Sequence, residues 1–188
     1  MAKITPEKNY LWDFIFKKDN RTEEWNQIEF LQKTNFFSKL KKSQIKRVLE
    51  IIHIRKFRED EFLFEQGNPG AALFFIQEGE VSIELVKGND TSQVAILGEN
   101  TFLGEIALLS SDERTASARA IKTTKCLALY RNDLQNFQIT DPDIASEIYR
   151  SLAHVLGQRL TATNQVINRQ KKEIQDLKEE ELNVERAS

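Results

Sequence analysis

The segment FLGEIALLSSDERTASARA, residues 102–120, carries the most informative pattern in this chain. It places Gly104 and Glu105 before an apolar run, and Arg114 follows Gly104 by ten positions. Glycine lets the main chain approach an anion, amide N–H groups at a helix start can donate to that anion, and arginine neutralises its charge. A carboxylate only accepts hydrogen bonds, so Glu105 suits hydroxyl groups. The pattern predicts a pocket for a phosphate that is attached to a ribose.

Each part of this pattern also has a simpler interpretation. Gly104 and Glu105 could form a turn whose acidic side chain complements a helix dipole. Arg114 could be a surface residue that pairs with Asp112 or Glu113. The occurrence of all three in one register, inside a strand-rich segment, favours the pocket.

Residues Gly104–Leu109 followed by Arg114–Ala116 resemble, without a gap, the phosphate-binding cassette of cyclic nucleotide-binding domains. This family includes the effector domains of catabolite activator proteins and the regulatory subunits of protein kinase A. The resemblance implies that Glu105 binds the ribose 2′-hydroxyl and that Arg114 binds the cyclic phosphate. It also implies that Thr115 contacts phosphate or base, and that the ligand site includes the other cassette residues Gly104, Ile106, Ala107 and Ala116.

Composition limits the class of protein. The 188 residues, 21.8 kDa in mass, are enough for one domain with a sizeable core plus extensions. A net charge of −2 and a pI of about 5.8 give no support for nucleic acid binding. The single cysteine, Cys126, fits a reducing cytoplasm. Because no apolar run approaches the ~18 residues of a membrane span, we expect a soluble, cytoplasmic protein without a transmembrane segment.

Short apolar runs between about residues 56 and 131 predict β-strands separated by glycine-containing turns. The runs are Phe62–Glu65, Ala72–Ile76, Val81–Leu85, Val94–Leu97 and Cys126–Tyr130. Many short strands at regular spacing are typical of a β-barrel or jelly roll. We therefore expect a mainly β fold with N-terminal helices and a long C-terminal helix. Gly67, Gly70 and Gly79 also lie where the resembling family turns its strands, and the likeness extends over roughly residues 28–165.

The chain is predicted to contain three segments, and the first is an N-terminal arm over residues 1–21. Its aromatic cluster, Tyr10–Phe16, suggests docking on the protein itself or on a second copy; binding of a partner or a membrane surface is the alternative. Residues 22–140 form the predicted β-domain with its N-terminal helices. Thr22 is a candidate helix cap, and apolar residues recur at helical spacing at Ile45, Val48, Leu49 and Ile52.

The third segment, residues 141–188, is predicted to be one long helix that starts at Asp141-Pro142. Its apolar positions step alternately by four and three residues, which is a heptad register. Leu160, Ile167 and Ile174 occupy a positions, and the d positions are Leu156, Thr163, Gln170 and Leu177. The pattern predicts a parallel coiled-coil homodimer; an amphipathic helix lying on the β-domain is the alternative up to about residue 160.

The same helix resembles the dimerisation helix of catabolite-activator-type proteins, with about one additional helical turn before the matching positions. In that family a Thr-Ser pair contacts the bound base, partly across the dimer. Thr163 and Asn164 occupy those positions here. On this match we expect cyclic AMP to be favoured over cyclic GMP.

These features predict a non-enzymatic cyclic nucleotide receptor that passes ligand binding through its C-terminal helix to a protein that the sequence does not name. The alternative is a coiled-coil adaptor whose barrel no longer binds nucleotide. We expect no cofactor and no metal site, because His53 and His154 lack metal-ligand neighbours in the sequence. We also expect no direct DNA contact, since no helix-turn-helix pattern is present.

Overall fold

A computed structural model describes residues 10–88 and 90–187, with side chains described for residues 22–88 and 90–177. Within these ranges, the helices are α1 (Tyr10–Lys33), α2 (Lys42–Leu49), α3 (Arg131–Thr140) and α4 (Pro142–Ala187). A short 3-10 helix, Glu105–Leu108, is termed the cassette helix. The strands are β1 (Ile52–Phe57), β2 (Phe62–Phe64), β3 (Ala72–Glu78), β4 (Val81–Lys87), β5 (Asp90–Leu97), β6 (Phe102–Leu103), β7 (Ser117–Ala120) and β8 (Thr124–Tyr130).

The strands form two four-stranded antiparallel sheets. One sheet has the order β1-β8-β3-β6 and the other has the order β2-β7-β4-β5. Buried side chains from both sheets make one apolar cluster, which includes Leu63, Phe74, Ile76, Val81, Leu103, Ala118 and Cys126. The prediction of a mainly β fold with N-terminal helices and a long C-terminal helix is confirmed. Hydrogen bonds do not close the described strands into a continuous barrel.

Strand β3 is buried on both faces, which explains its unbroken apolar sequence. Phe74 and Ile76 join the cluster between the sheets. The ring of Phe75 lies 5.1 Å from the ring of Phe37 and 5.5 Å from that of Phe36. Full burial of such a side chain contributes about 1.5–3 kcal/mol. Packing on both faces therefore fixes the position of β3 and of the residues that lead into it.

The prediction that Thr22 caps a helix is wrong, because α1 runs from Tyr10 to Lys33 and Thr22 lies in its interior. The residues around Thr22 include no glycine or proline, and the weak helix propensity of threonine does not stop a helix by itself. The predicted aromatic arm overlaps α1, but its side chains and residues 1–9 lie outside the described part of the chain. Its role stays a prediction.

Ile52 belongs to β1 rather than to the second helix, which ends at Leu49. The apolar spacing that suggests a helix through Ile52 is satisfied by Ile45 and Val48, both fully buried in α2. Ile52 instead pairs with Leu129 of β8. A short apolar run next to a helix is compatible with both the helical and the strand period. The sequence therefore places the end of α2 a few residues too far along the chain.

The junction of α3 and α4 is held to α2 by an ion pair. Arg47 donates from Nε to Asp141 Oδ1 at 3.2 Å and from Nη2 to Oδ2 at 2.8 Å. Pro142 is the first residue of α4, as predicted. The hydrogen bonds from Arg47 lower the pKa of the Asp141 carboxyl below its ordinary value.

Helix α4 continues from one compact unit into a second, with the boundary between Ile148 and Tyr149. In the second unit, the side chains from residue 157 to residue 177 are all exposed. Among the helices that the structure describes, none contains an apolar stretch of the length that a membrane span requires.

The Arg47–Asp141 pair predicts a pH-dependent contribution to stability. Because the pKa of Asp141 is lowered in the folded state, its contribution is present above the unfolded pKa, about 3.9, and is lost as pH falls through the folded value. Arg47→Ala should therefore remove part of the decrease in stability on acidification. Thermal unfolding followed from neutral pH to about pH 3 measures this difference.

Arg58, an exposed arginine between β1 and β2, provides the matched control. Arg58→Ala should retain the pH dependence of the parent protein. A pH dependence for Arg47→Ala equal to that of the parent would contradict the proposed contribution of the pair.

Candidate functional site

The turn after β2 supports the segment that leads to Arg114. The amide of Arg114 donates to Asn68 O at 2.8 Å, and the amide of Gly70 donates to Asp112 O at 3.0 Å. A Cβ atom on Gly70 would lie 2.9 Å from the Cβ of Ala107. The predicted turn at residues 67–70 is therefore packed directly against the cassette helix, and a larger residue at position 70 would push the helix away.

Gly104 precedes the cassette helix in a left-handed conformation, with φ of +81°. Its carbonyl accepts the amide of Ala107 at 3.2 Å and so closes the first turn. A Cβ atom on Gly104 would lie 2.5 Å from Arg114 Nη1 and 3.0 Å from Ala72 O. Both the backbone angle and the close approach of Arg114 therefore require glycine at this position.

The guanidinium of Arg114 lies against main-chain carbonyls and an aromatic ring. Nη2 donates to Ala72 O at 2.8 Å, and Nη1 donates to Gly104 O at 3.3 Å. Cζ lies 3.9 Å from the centroid of the Phe64 ring, which is a cation–π contact. The residue is 9% exposed, and its buried Nε has no hydrogen-bond partner among the described residues.

Burial lowers the pKa of Arg114 to about 10. The carboxylate of Glu105 opposes this shift, and the positive charge of Arg131 adds to it. Arg114 therefore stays cationic at neutral pH. Glu105 is itself 2% exposed, so the site holds a buried carboxylate near a buried guanidinium. A pair of this kind can neutralise an anion and accept a hydrogen bond from a hydroxyl group.

The structure brings Gly104, Glu105 and Arg114 together, as the sequence pattern predicts. Among the other predicted residues of the cassette, Ala107 is buried, Ile106 is half exposed and Thr115 is exposed, while Ala116 is intermediate. The Ala107 amide already donates within the cassette helix.

Thr163 and Asn164 belong to the second unit, where both are exposed. The hydroxyl of Thr163 donates to Arg159 O at 2.9 Å within α4. Their contact with a bound base stays a prediction.

Three groups at the site carry no signal in the sequence pattern. The carbonyl of Ala72 accepts from Arg114, the ring of Phe64 lies over its guanidinium, and Arg131 approaches the cassette from α3. A main-chain carbonyl has no signature in the sequence. Phe64 and Arg131 are distant in the sequence from the residues that they contact.

Comparisons with known proteins assign the segment that contains this site to a family. The cyclic nucleotide-binding domain family matches residues 54–141, which include the cassette helix and α3. Human cGMP-dependent protein kinase 2 is 31% identical over 121 residues, which are 64% of this chain and 15% of the kinase. The cyclic AMP receptor protein of Thermus thermophilus is 31% identical over 125 residues, which are 66% of this chain and 56% of that protein.

The fold is similar to that of a solved structure, the catabolite activator protein of Thermus thermophilus. The TM-score is 0.65 at 28% identity, and the match covers 72% of this chain and 62% of that one. This likeness confirms the predicted jelly roll. The chain spans less than two thirds of the length of each of these relatives. Through residues 54–141, the chain belongs to the cyclic nucleotide-binding domain family.

Proposed function

We propose that the cassette binds the cyclic phosphate and the ribose of a cyclic nucleotide, and that the chain acts as a receptor rather than as an enzyme. The observation that supports this most is the buried Arg114 guanidinium, whose Nε lacks a hydrogen-bond partner among the described residues. A buried donor without an acceptor is costly, and an oxygen of a bound phosphate would accept from it.

Glu105 is assigned to the ribose. Its carboxylate is buried beside the start of the cassette helix, and it can accept a hydrogen bond from a 2′-hydroxyl group. Its negative charge also disfavours a ligand with additional phosphates at that end. Glu105 and Arg114 together favour one ligand class, a ribose that carries a single cyclic phosphate.

We assign cyclic AMP as the favoured ligand over cyclic GMP. The support is the match of Thr163 and Asn164 to residues that contact the base in catabolite-activator-type proteins. The names of the relatives do not choose between the two ligands, since one is a cGMP-dependent kinase and another a cyclic AMP receptor.

Helix α4 is the proposed route of signal transmission, through a homodimer, to a downstream protein. Four of the five apolar residues at the a and d positions are exposed in the single chain, at 63% for Leu160, 41% for Ile167, 53% for Ile174 and 61% for Leu177, whereas Leu156 is half-buried. A second copy in parallel register would cover these side chains. If Thr163 contacts both the partner helix and the base, ligand binding and dimer packing are coupled.

Arg114→Ala should weaken the binding of both cyclic AMP and cyclic GMP by about 2–5 kcal/mol, because the phosphate would lose a buried charged partner. Arg114→Lys should recover only part of the affinity, since lysine cannot donate from two nitrogens of one planar group. Isothermal titration calorimetry measures both changes.

Arg119→Ala is the matched control, because Arg119 also pairs with a buried carboxylate, that of Glu84, but in the second sheet. This change should lower the unfolding temperature and leave the affinity unaltered. Unchanged affinity in Arg114→Ala would remove the cassette from ligand binding.

Gly104→Ala should also lower the affinity, because its Cβ would displace the Arg114 guanidinium. Gly88→Ala has a comparable backbone penalty, since φ is +62° at Gly88, but a Cβ there meets nothing within 4 Å. Both variants should lose about 1–2 kcal/mol of stability from the left-handed conformation. Only Gly104→Ala should bind cyclic AMP more weakly in the same titration. Equal affinities in the two variants would show that the position of Arg114 does not determine binding.

The chain should be a dimer at micromolar concentration in a sedimentation experiment. The double change Ile167→Lys and Ile174→Lys should produce monomers with a folded β-domain, because like charges would meet at a positions. The control places the same charges one residue further along, as Asn168→Lys and Gln175→Lys, and should stay dimeric. A monomeric parent protein would refute the coiled coil.

A further inference from the structure

Arg131, the first residue of α3, contacts the cassette from outside its sequence. Nη1 of Arg131 donates to Gly70 O at 3.0 Å, to Ala107 O at 2.9 Å and to Ser110 O. A guanidinium Nη atom carries two hydrogens, so these three carbonyls share two N–H groups. One cationic side chain thus holds three separate points of the main chain.

The accepting carbonyls belong to the cassette helix, to the residues just after it and to the segment before β3. Ala107 is within the cassette helix, and Ser110 follows the end of that helix. The last carbonyl groups of a helix lack partners within the helix, and Arg131 supplies one. Gly70 lies just before β3, and the amide of Arg131 donates to Ala71 O at 2.8 Å. The start of α3 is therefore attached both to the cassette and to the approach to β3.

Arg114 and Arg131 hold opposite ends of the cassette helix. Arg114 donates to Gly104 O before the helix, whereas Arg131 donates to Ala107 O and Ser110 O at its other end. Each arginine also donates to the main chain at the start of β3, Arg114 to Ala72 O in its first residue and Arg131 to Gly70 O just before the strand. A displacement of the cassette helix must therefore alter the contacts of both side chains.

We propose that Arg131 is a positioning residue of the nucleotide site, which holds the cassette helix in the binding position through the carbonyls of Ala107 and Ser110. This inference rests on the proposed binding of a cyclic nucleotide by the cassette. Arg131 does not contact the ligand in this account. It acts through the main chain of residues 107–110, which it attaches to the first turn of α3.

The test compares the full-length parent protein with Arg131→Gln and Arg131→Lys. Calorimetry with cyclic AMP, well below the unfolding temperature of each protein, gives the affinities. Hydrogen exchange with and without cyclic AMP reports separately on the amides of the cassette helix and of α3. Arg119→Gln serves as the control for loss of an arginine that holds another part of the domain.

Arg131→Gln should lower the affinity at least about tenfold, the usual effect of losing hydrogen bonds from a charged group. The change in α3 exchange on adding cyclic AMP should be smaller than in the parent. Arg131→Lys should be intermediate in both measurements, because an ammonium group lacks the planar fork. Arg119→Gln should show the parent affinity and the parent response of α3.

A purely structural role would move the unfolding temperature alone. Parent-like affinity and parent-like α3 exchange in Arg131→Gln would overturn the inference. If Arg131→Gln does not fold, parent-like values for Arg131→Lys in both measurements overturn it. If the parent itself binds neither cyclic AMP nor cyclic GMP, the proposed function fails and this inference fails with it, so the two failures are distinguished by the parent titration.

Discussion

The charge of Arg114 is held inside the domain by two carbonyl oxygens and the face of an aromatic ring. Burial of an unpaired charge costs several kcal/mol, so the surrounding main chain must supply acceptors at fixed positions. Ala72 and Gly104 do this, while Phe64 covers the guanidinium. The third nitrogen of the group, Nε, has no hydrogen-bond partner among the described residues. An anion is the acceptor that the positive charge of the guanidinium favours.

The position of these acceptors depends on the core. Ala72 begins β3, whose Phe75 packs against Phe36 and Phe37 on one face and whose Phe74 packs between the sheets on the other. The cassette helix lies against Gly70, just before the same strand. Packing of β3 therefore fixes the positions of the carbonyls that accept from the two arginines. Arg114 and Arg131 in turn connect the start of this strand to the cassette helix, and Arg131 also belongs to α3.

The sequence predicts what is local and leaves out what the fold assembles. Gly104, Glu105 and Arg114 are found because their types and spacing belong to one short segment. Strand β7 is missed because its residues, Ser117–Ala120, are mostly small and have weak strand propensity; its strand form depends on pairing with β2 and β4. Arg131 is missed because its partners are main-chain carbonyls, which no residue type marks. Pairing by α4 and the base contact of Thr163 stay predictions, since they require a second copy or a ligand.

Direct calorimetric titration of the full chain with cyclic AMP and with cyclic GMP tests whether the cassette around Arg114 binds a cyclic nucleotide. We expect a saturable heat with one nucleotide per chain and tighter binding of cyclic AMP. No saturable heat with either nucleotide at concentrations up to about 1 mM, where binding free energies are only about −4 kcal/mol, would contradict it.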